Sequence, residues 1–305
     1  MQSNRPLPKG FELEGHHILG LIAAGGLSFV YLAYDKRRSL VALKEYMPAP
    51  LALRTGSATA PAVHERDVAL FRDGMKCFFE EGSALASLHH PNVVRVVDFF
   101  RANGTAYMAM RYESGRTLQQ HLAASGAPVE EDWLRLLFVR LLNGLREVHA
   151  ARLLHLDIKP ANIWIRDDET PVLIDFGAAR HALSEEGTRL PPVYTPGFAA
   201  PEMHQTRDRL GPWSDIYSVG ATLYACIAQT PPPSAIERVE KDRLARASRR
   251  WAGRFSAQLL ETIDSCLGLD PTGRPRSVLE LQRALGAPMP RSRVATPDLR
   301  LALAR

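Results

Sequence analysis

The run Leu154-His155-Leu156-Asp157-Ile158-Lys159-Pro160-Ala161-Asn162-Ile163 narrows the fold more than any other stretch. It sets a carboxylate, an ammonium and an amide into the six positions from Asp157 to Asn162, between apolar neighbours. Apolar flanks read as short buried strands, so the polar residues sit on a loop held from both ends. Eighteen positions after Asp157, Asp175-Phe176-Gly177 again places an acid and a Gly behind an apolar run, Pro171-Val172-Leu173-Ile174. Two acids and an amide at the ends of neighbouring strands can hold a hard cation such as Mg²⁺ through oxygen, beside a base for an incoming hydroxyl. Such a site suits the movement of phosphate.

The 305 residues are 46% hydrophobic and 23% charged, a globular balance with length for one large domain or two lobes. Cys77, Cys226 and Cys266 lie far apart, so neither a zinc site nor a disulfide framework is indicated and a cytoplasmic location is expected. Met1–Gly10 is polar and Pro-rich, unlike a signal peptide, and no apolar run approaches the roughly 18–20 residues of a membrane span. The net charge of +5 gathers in Arg243–Arg254 and Arg291–Arg305. These stretches are either a surface for acidic partners or, the preferred reading, a solvated helix face and a loose tail; no nucleic-acid partner is expected.

Ile18 to Ala33 reads as strand, glycine turn and strand, with Gly25 and Gly26 bare enough for backbone to approach a phosphate. A Gly-Gly hairpin also forms without any ligand. Leu40-Val41-Ala42-Leu43-Lys44 is a third strand, and Lys44 stands either over phosphates or at a solvated strand end. Glu45 to Lys76 reads as a long irregular stretch, either a functional insertion or a mobile loop. Phe78, Leu85 and Leu88 then mark a helix face, with Glu81 near the helix start, where it also suits the helix dipole. Val93–Phe100 and Thr105–Tyr112 are two more strands, turned at Asn103-Gly104. This part is a small antiparallel sheet with one helix.

Beyond it, Leu134, Leu137, Phe138, Leu141, Leu145 and Val148 keep helical spacing through Pro128–Ala150. Ser214–Gln229 is an apolar helix whose Asp215 must be paired or hydrogen-bonded if buried. Ser277-Val278-Leu279-Glu280 is a capping box opening a last helix that ends near Gly286. This part is mainly helical, and the Pro-containing basic tail 287–305 reads as poorly ordered.

In order, the motifs are the glycine turn, Val41-Ala42-Leu43-Lys44, Glu81, His155-Leu156-Asp157 with Lys159 and Asn162, Asp175-Phe176-Gly177, and Ala200-Pro201-Glu202. The chain thereby resembles the protein kinases, specifically the bacterial eukaryote-like Ser/Thr kinases, over residues 11–286. Glu45-Tyr46-Met47-Pro48 resembles a proteobacterial subgroup. The resemblance implies an α+β, two-lobed fold, with an N-lobe over 11–110, a hinge over 111–116 and a C-lobe over 117–286. It implies ATP with Mg²⁺, or Mn²⁺ in its place, and transfer of the γ-phosphate to Ser/Thr hydroxyls of proteins.

Roles follow from the same resemblance. Lys44 would hold the α/β-phosphates, oriented by Glu81. Asp157 would accept or orient the hydroxyl proton, Lys159 would meet the moving charge, and Asn162 and Asp175 would hold the metal. Ala23, Gly25, Gly26 and Ser28 would cover the phosphates. Met110 would be the gatekeeper, the backbone of Arg111 and Glu113 would bind adenine, and Val30, Ala42 and Trp164 would sandwich it. Trp164, bulkier than the usual aliphatic residue, can instead turn into the core. Leu85, His155 and Phe176 would pack between the lobes. Thr195 would bond Asp157 and Lys159, Glu202 would pair with Arg274, and Asp215 would brace the catalytic loop. Family members are often paired with a metal-dependent phosphatase or with forkhead-associated proteins.

Leu156 departs from the family, which usually carries an Arg there to clamp a phosphorylated loop residue. Leucine offers phosphate neither charge nor hydrogen bond, so activity independent of phosphorylation at Ser184 or Thr188 is expected, although both can be autophosphorylated. The turn also keeps only the middle glycine of the usual three, with Gly26 added. Two other functions compete. A nucleotide-gated pseudokinase scaffold would normally lack one of the five charged or amide groups, and a small-molecule phosphotransferase would not need the peptide-docking segment Thr195–Glu202.

Overall fold

Alternation along the strands sorts the side chains of the N-terminal lobe onto two faces. The computed structural model describes residues 4–176, 194–205 and 209–286; Gly177, Ser184, Thr188 and the segment 287–305 lie outside these. In chain order come β1 (Glu12–Leu13), β2 (His16–Ala24), β3 (Ser28–Tyr34), β4 (Leu40–Tyr46), a short hairpin β5 (Ala52–Leu53) and β6 (Ala62–Val63), helix α1 (Val68–Ala86), then β7 (Val96–Ala102) and β8 (Thr105–Arg111). All the strands outside the hairpin form one antiparallel sheet in the order β1-β2-β3-β4-β8-β7. Asn103 and Gly104, both at positive φ, make the two-residue turn between β7 and β8.

Register pairs Val30 with Lys44, Lys44 with Met108, and Ala42 with Met110. With a side-chain period of two, these five residues share one face, and α1 packs there with Phe78 5.9 Å from the Lys44 ammonium. Glu45, opposite Phe29 and Tyr107, falls on the other face.

The irregular stretch expected over Glu45–Lys76 is corrected here. β4 runs on through Tyr46, the insertion folds into the β5–β6 hairpin, and α1 starts at Val68. Its buried Phe71 and Phe78 continue one helical face, which the intervening Asp73 and Gly74 obscured. Glu81 therefore lies well past the first turn, and a helix-dipole role is excluded for it.

The second sheet face carries a buried polar knot. Glu45 is fully buried, and Arg54 from the hairpin donates to both its oxygens at 2.6 Å. The hydroxyls of Tyr31 and Tyr107 donate to the same carboxylate at 2.7 Å each. Burial first, and then the Glu45 charge, pushes both phenols upward from their ordinary range. The chain before β1 closes over the knot: Arg54 Nε donates to the Arg5 carbonyl at 2.8 Å, and the Leu7 amide donates to the Tyr31 hydroxyl at 3.0 Å.

The second lobe comprises β9 (Gly115–Thr117), α2 (Leu118–Ser125), α3 (Glu131–Ala150), β10 (Ile163–Arg166), β11 (Pro171–Leu173), α4 (Pro212–Ala228), α5 (Ala235–Glu240), α6 (Ala247–Arg250), α7 (Ala257–Cys266) and α8 (Val278–Gly286). Thr117 and Gln120 make a capping box for α2. α3 buries the apolar positions that its spacing predicts, and α4 is buried from Ser214 to Ile227. Ser277 Oγ caps α8 by accepting from the Glu280 amide at 3.2 Å, whereas on the return arm Glu280 Oε2 accepts from the Arg276 amide at 2.9 Å. The capping box is thus shifted by one residue on its return arm. β9 pairs with β10, so Gly115 and Arg116 belong to the lower sheet and the single-stranded link between lobes is Tyr112–Ser114. Among the described residues no helix is long and apolar enough to cross a membrane.

Removing one partner of a buried ion pair strands the other charge. Arg54→Met is expected to cost about 3–5 kcal/mol in urea unfolding, and adding Glu45→Gln to it should recover part of that loss. An unchanged unfolding midpoint in Arg54→Met would show that the knot does not stabilise the lobe.

Candidate active site

The loop from His155 to Asn162 is shaped by a carboxylate that lies far away in sequence. Asp215, in the first turn of α4 and fully buried, accepts the Leu156 amide on Oδ1 at 2.7 Å. Its Oδ2 accepts the His155 amide at 3.0 Å and His149 Nε2–H at 2.7 Å. Leu156 sits at φ 60°, a left-handed conformation that a leucine rarely adopts. The Asp215 bond and the burial of its side chain hold it there. Farther along, the Thr222 hydroxyl of α4 donates to the Ile158 carbonyl at 3.2 Å.

His155 ties this loop to the strand that leads to Asp175. Its Nε2–H donates to the Ile174 carbonyl at 3.1 Å, and its Nδ1 accepts the Asp157 amide at 3.3 Å. The ring is fully buried with its centroid 4.3 Å from that of Phe176, and Leu85 of α1 belongs to the same buried cluster. Burial pushes the imidazole below its ordinary range even though Asp215, Asp157 and Asp175 pull it up. For Asp215, burial pulls upward but the hydrogen bond and charge of His149 lead a set that leaves it below the usual carboxylate range.

Four polar side chains then converge. Thr195 Oγ1 donates to Asp157 Oδ1 at 2.8 Å, while Lys159 Nζ and Asn162 Nδ2 both donate to Asp157 Oδ2 at 2.7 Å. Lys159 also donates to Thr195 Oγ1 at 2.6 Å. The Ile174 amide donates to the Asn162 carbonyl at 3.0 Å, which brings Asp175 alongside. Lys44, buried on the first-lobe sheet, reaches across to Asp175 Oδ1 at 2.7 Å and lies 4.0 Å from Glu81 Oε1. The short contact of Lys44 is therefore with Asp175, and Glu81 stands at the limit of ion-pair distance.

Among the described residues no three His, Cys, Asp or Glu side chains form a metal cage. Asp175, with its side chain 48% exposed, and Asn162 are hard oxygen donors side by side. With Nδ2 committed to Asp157, Asn162 keeps Oδ1 as its remaining polar atom. A short protein donor set completed by phosphate and water is how Mg²⁺ is commonly held, so these residues fit it.

The sheet face bearing Lys44 also bears Ala23, Val30, Ala42 and Met110. In the turn above, the Gly25 amide donates to the Ser28 carbonyl at 2.9 Å, and the Gly26 and Leu27 carbonyls accept from Ala49 and Met47. Neither glycine is at positive φ, and a Cβ on Gly25 would meet only the Ser28 carbonyl at 3.8 Å, one on Gly26 nothing. The turn itself thus does not demand glycine at either position. At the link, the Arg111 amide is already used by the Arg95 carbonyl at 2.9 Å. The Glu113 carboxylate accepts both arms of Arg166 at 2.8 and 2.9 Å. Gly115 has φ 141°, and a Cβ there would stand 2.1 Å from the Ile165 carbonyl. Trp164 is half-buried on β10 against the core, and its indole N–H meets no acceptor among the described residues.

Below the acid, the Phe198 amide donates to the Thr195 carbonyl at 3.1 Å and Ser218 Oγ to the Phe198 carbonyl at 2.8 Å, which fixes the segment onto α4. Glu202 and Arg274 pair through two bonds of 2.7 and 3.0 Å, and Ser214 donates to Glu202 at 2.9 Å. Sequence reasoning missed His149, Arg166, Ser214 and the Glu45–Arg54 knot. His149, six positions before His155, and Ser214, beside Asp215, carried a faint signal; Arg54, in a stretch without periodicity, carried none.

A family model described as protein kinase domain matches residues 17–284. The chain is similar to the serine/threonine-protein kinase PkaA of Streptomyces coelicolor, 32% identical over 244 residues, covering 78% of this chain and 44% of that protein. It is 24% identical over 283 residues to serine/threonine-protein kinase D of a Synechocystis strain, covering 90% of this chain and 52% of the relative. The chain thus spans about half the length of these curated relatives. The solved apo form of PpkA-294 superposes with a TM-score of 0.82 at 36% identity, covering 93% of this chain and all of the other. The match includes the curled antiparallel sheet of the first lobe and the helical second lobe.

The buried, proton-poor His155 sets a pH dependence. An unfolded histidine takes up a proton below about pH 6.5, whereas His155 in the fold resists it, so acid favours unfolding. Stability should be flat above that pH and fall below it, by up to about 1.4 kcal/mol per pH unit from this residue. His90, His121 and His204, also lowered by burial, act in the same direction. Urea midpoints at pH 7.5 and 5.5 measure this, and an equal or higher midpoint at pH 5.5 contradicts it.

Proposed function

Because the chain belongs to the protein kinase family, we propose that it transfers the γ-phosphate of ATP to Ser/Thr hydroxyls of proteins, itself included. The observation that carries the proposal is the seating of Thr195. Its hydroxyl rests on Asp157 and Lys159 at 2.8 and 2.6 Å, so a segment that would receive a peptide is joined directly to the acid and the cation.

In this reading Asp157 accepts the proton of the incoming hydroxyl, and Lys159 meets the charge on the transferring group. Asn162 and Asp175 would hold Mg²⁺, or Mn²⁺ with its similar oxygen preference, which supplies further positive charge to the phosphates. Lys44 would hold the α/β-phosphates. Gly25 and Gly26, bare where the turn does not require it, leave room for phosphate beneath the turn, which Ala23 and Ser28 flank. Val30, Ala42, Met110 and Trp164 would enclose adenine, with the Arg111 carbonyl and Glu113 backbone on its edge. We assign one kinase domain to residues 11–286. Glu45-Tyr46-Met47-Pro48 supports placing it in the proteobacterial subgroup, whose phosphatase and forkhead-associated partners are then the candidates here.

Activity independent of loop phosphorylation is the second part of the proposal. Leu156 is 1% exposed and packed into the core, so no cation stands at this position to read a phosphate. Ser184 and Thr188 remain candidate autophosphorylation sites.

Transfer of labelled γ-phosphate to the protein and to generic protein substrates should be present in the wild type and fall by about 10²–10⁴ in Asp157→Asn. Absence of transfer in the folded wild type would instead favour a nucleotide-gated scaffold. The variant Ser184→Ala/Thr188→Ala should keep transfer to an added substrate within about threefold of wild type. Complete loss in a folded double variant sinks phosphorylation independence while leaving the kinase reading intact.

A further inference from the structure

A cleft of about 490 Å³ opens beside Lys159 and Thr195, walled by Leu122, Ala123, Ala161 and Phe198. A second cleft of about 490 Å³ shares Leu122, Ala123 and Gln229 with it and continues to Arg250, Trp251 and Arg254. Among the described residues no Asp or Glu lines either one. The path therefore begins apolar at the acid-bearing loop and ends basic at the start of the segment between α6 and α7.

The two arginines are exposed yet held. Arg250 lies over the Trp251 ring at 5.0 Å and donates to the Tyr224 hydroxyl at 3.1 Å, and Arg254 lies over the Phe255 ring at 5.2 Å. Among the described residues neither has a carboxylate within ion-pair distance. Arg238, by contrast, is bound by Asp242 at 3.0 Å. Stacking on aromatic faces orders a planar guanidinium without consuming its N–H donors, and although Arg250 gives one to Tyr224, the remaining donors suit a carboxylate arriving from outside.

Resting on the kinase reading, we propose that this continuous groove selects acidic protein substrates. The selected segment places an apolar side chain next to the acceptor hydroxyl and Asp or Glu farther along one flank, against Arg250 and Arg254. The basic stretch Arg243–Arg254, which looked like a solvated helix face, thereby acquires a partner of opposite charge.

The test uses peptides with a single Thr among apolar neighbours and a block of Glu, Gln or Lys on either flank. For one flank, kcat/KM should be about tenfold higher with Glu than with Gln, and lower still with Lys, as two charge pairs at a solvent edge can supply. Raising the ionic strength should shrink this difference. In Arg250→Glu/Arg254→Glu the order should invert toward Lys, with the Gln peptide turned over within about twofold of wild type. Because Arg250 also bonds Tyr224, Arg254→Glu alone carries the test if the double variant unfolds, and should lose most of the Glu preference. Equal rates, a Lys preference in the wild type, or a Glu preference surviving charge reversal overturns the groove alone. Transfer neither to any peptide nor to the protein itself overturns the kinase reading and the groove with it.

Discussion

Asp215 fixes the geometry on which the rest of the site depends. A carboxylate fully out of water is costly unless its lone pairs are filled, and here two backbone amides and an imidazole fill them. In return it sets the backbone of His155 and Leu156, including the left-handed turn at Leu156 that sends the chain into Asp157. Helix α4 is thus both the core of the second lobe and the template for the loop above it. The Thr222 and Ser218 bonds extend this arrangement to Ile158 and to the Thr195 segment.

The charges of the cleft are arranged as a relay between lobes. From the first lobe comes Lys44 with Glu81 behind it, and from the second come Asp175, Asn162, Asp157 and Lys159. Lys44 reaches across the cleft to Asp175 at 2.7 Å. Neighbouring opposite charges of this kind are prearranged, so that a highly charged ligand entering between them meets fixed dipoles instead of reorienting water.

The second lobe and the acid-bearing loop were legible in the sequence because their signals are local. Helical spacing marks α3, the apolar run marks α4, and the acid-bearing loop runs into its own strand, β10. The strand expected before the loop is not formed, because Leu153–Ile158 is irregular backbone whose amides at His155 and Leu156 are held by Asp215 instead. Asp215 was recognisable as a buried acid needing partners, since it lies on an almost wholly apolar helix. The insertion was not legible. Its stability comes from Arg54 reaching Glu45 and Tyr31, with Tyr107 bonded to the same carboxylate, and no periodicity along the chain reports a pairing of that kind. The start of α1 was hidden for a related reason, as Asp73 and Gly74 break the helical composition without breaking the buried face. Arg166 gripping Glu113 across the link was equally invisible.

Lys44 and Glu45 are adjacent on β4 and face opposite ways, one toward the cleft and the other into the knot with Arg54. A slip of β4 by one residue would exchange them, placing an anion beside Asp175 in the cleft and an ammonium among two phenols and a guanidinium. Both exchanges are electrostatically forbidden. The knot on the far face of the sheet therefore works as a registration pin: without touching the cleft it fixes which residue of this strand faces it.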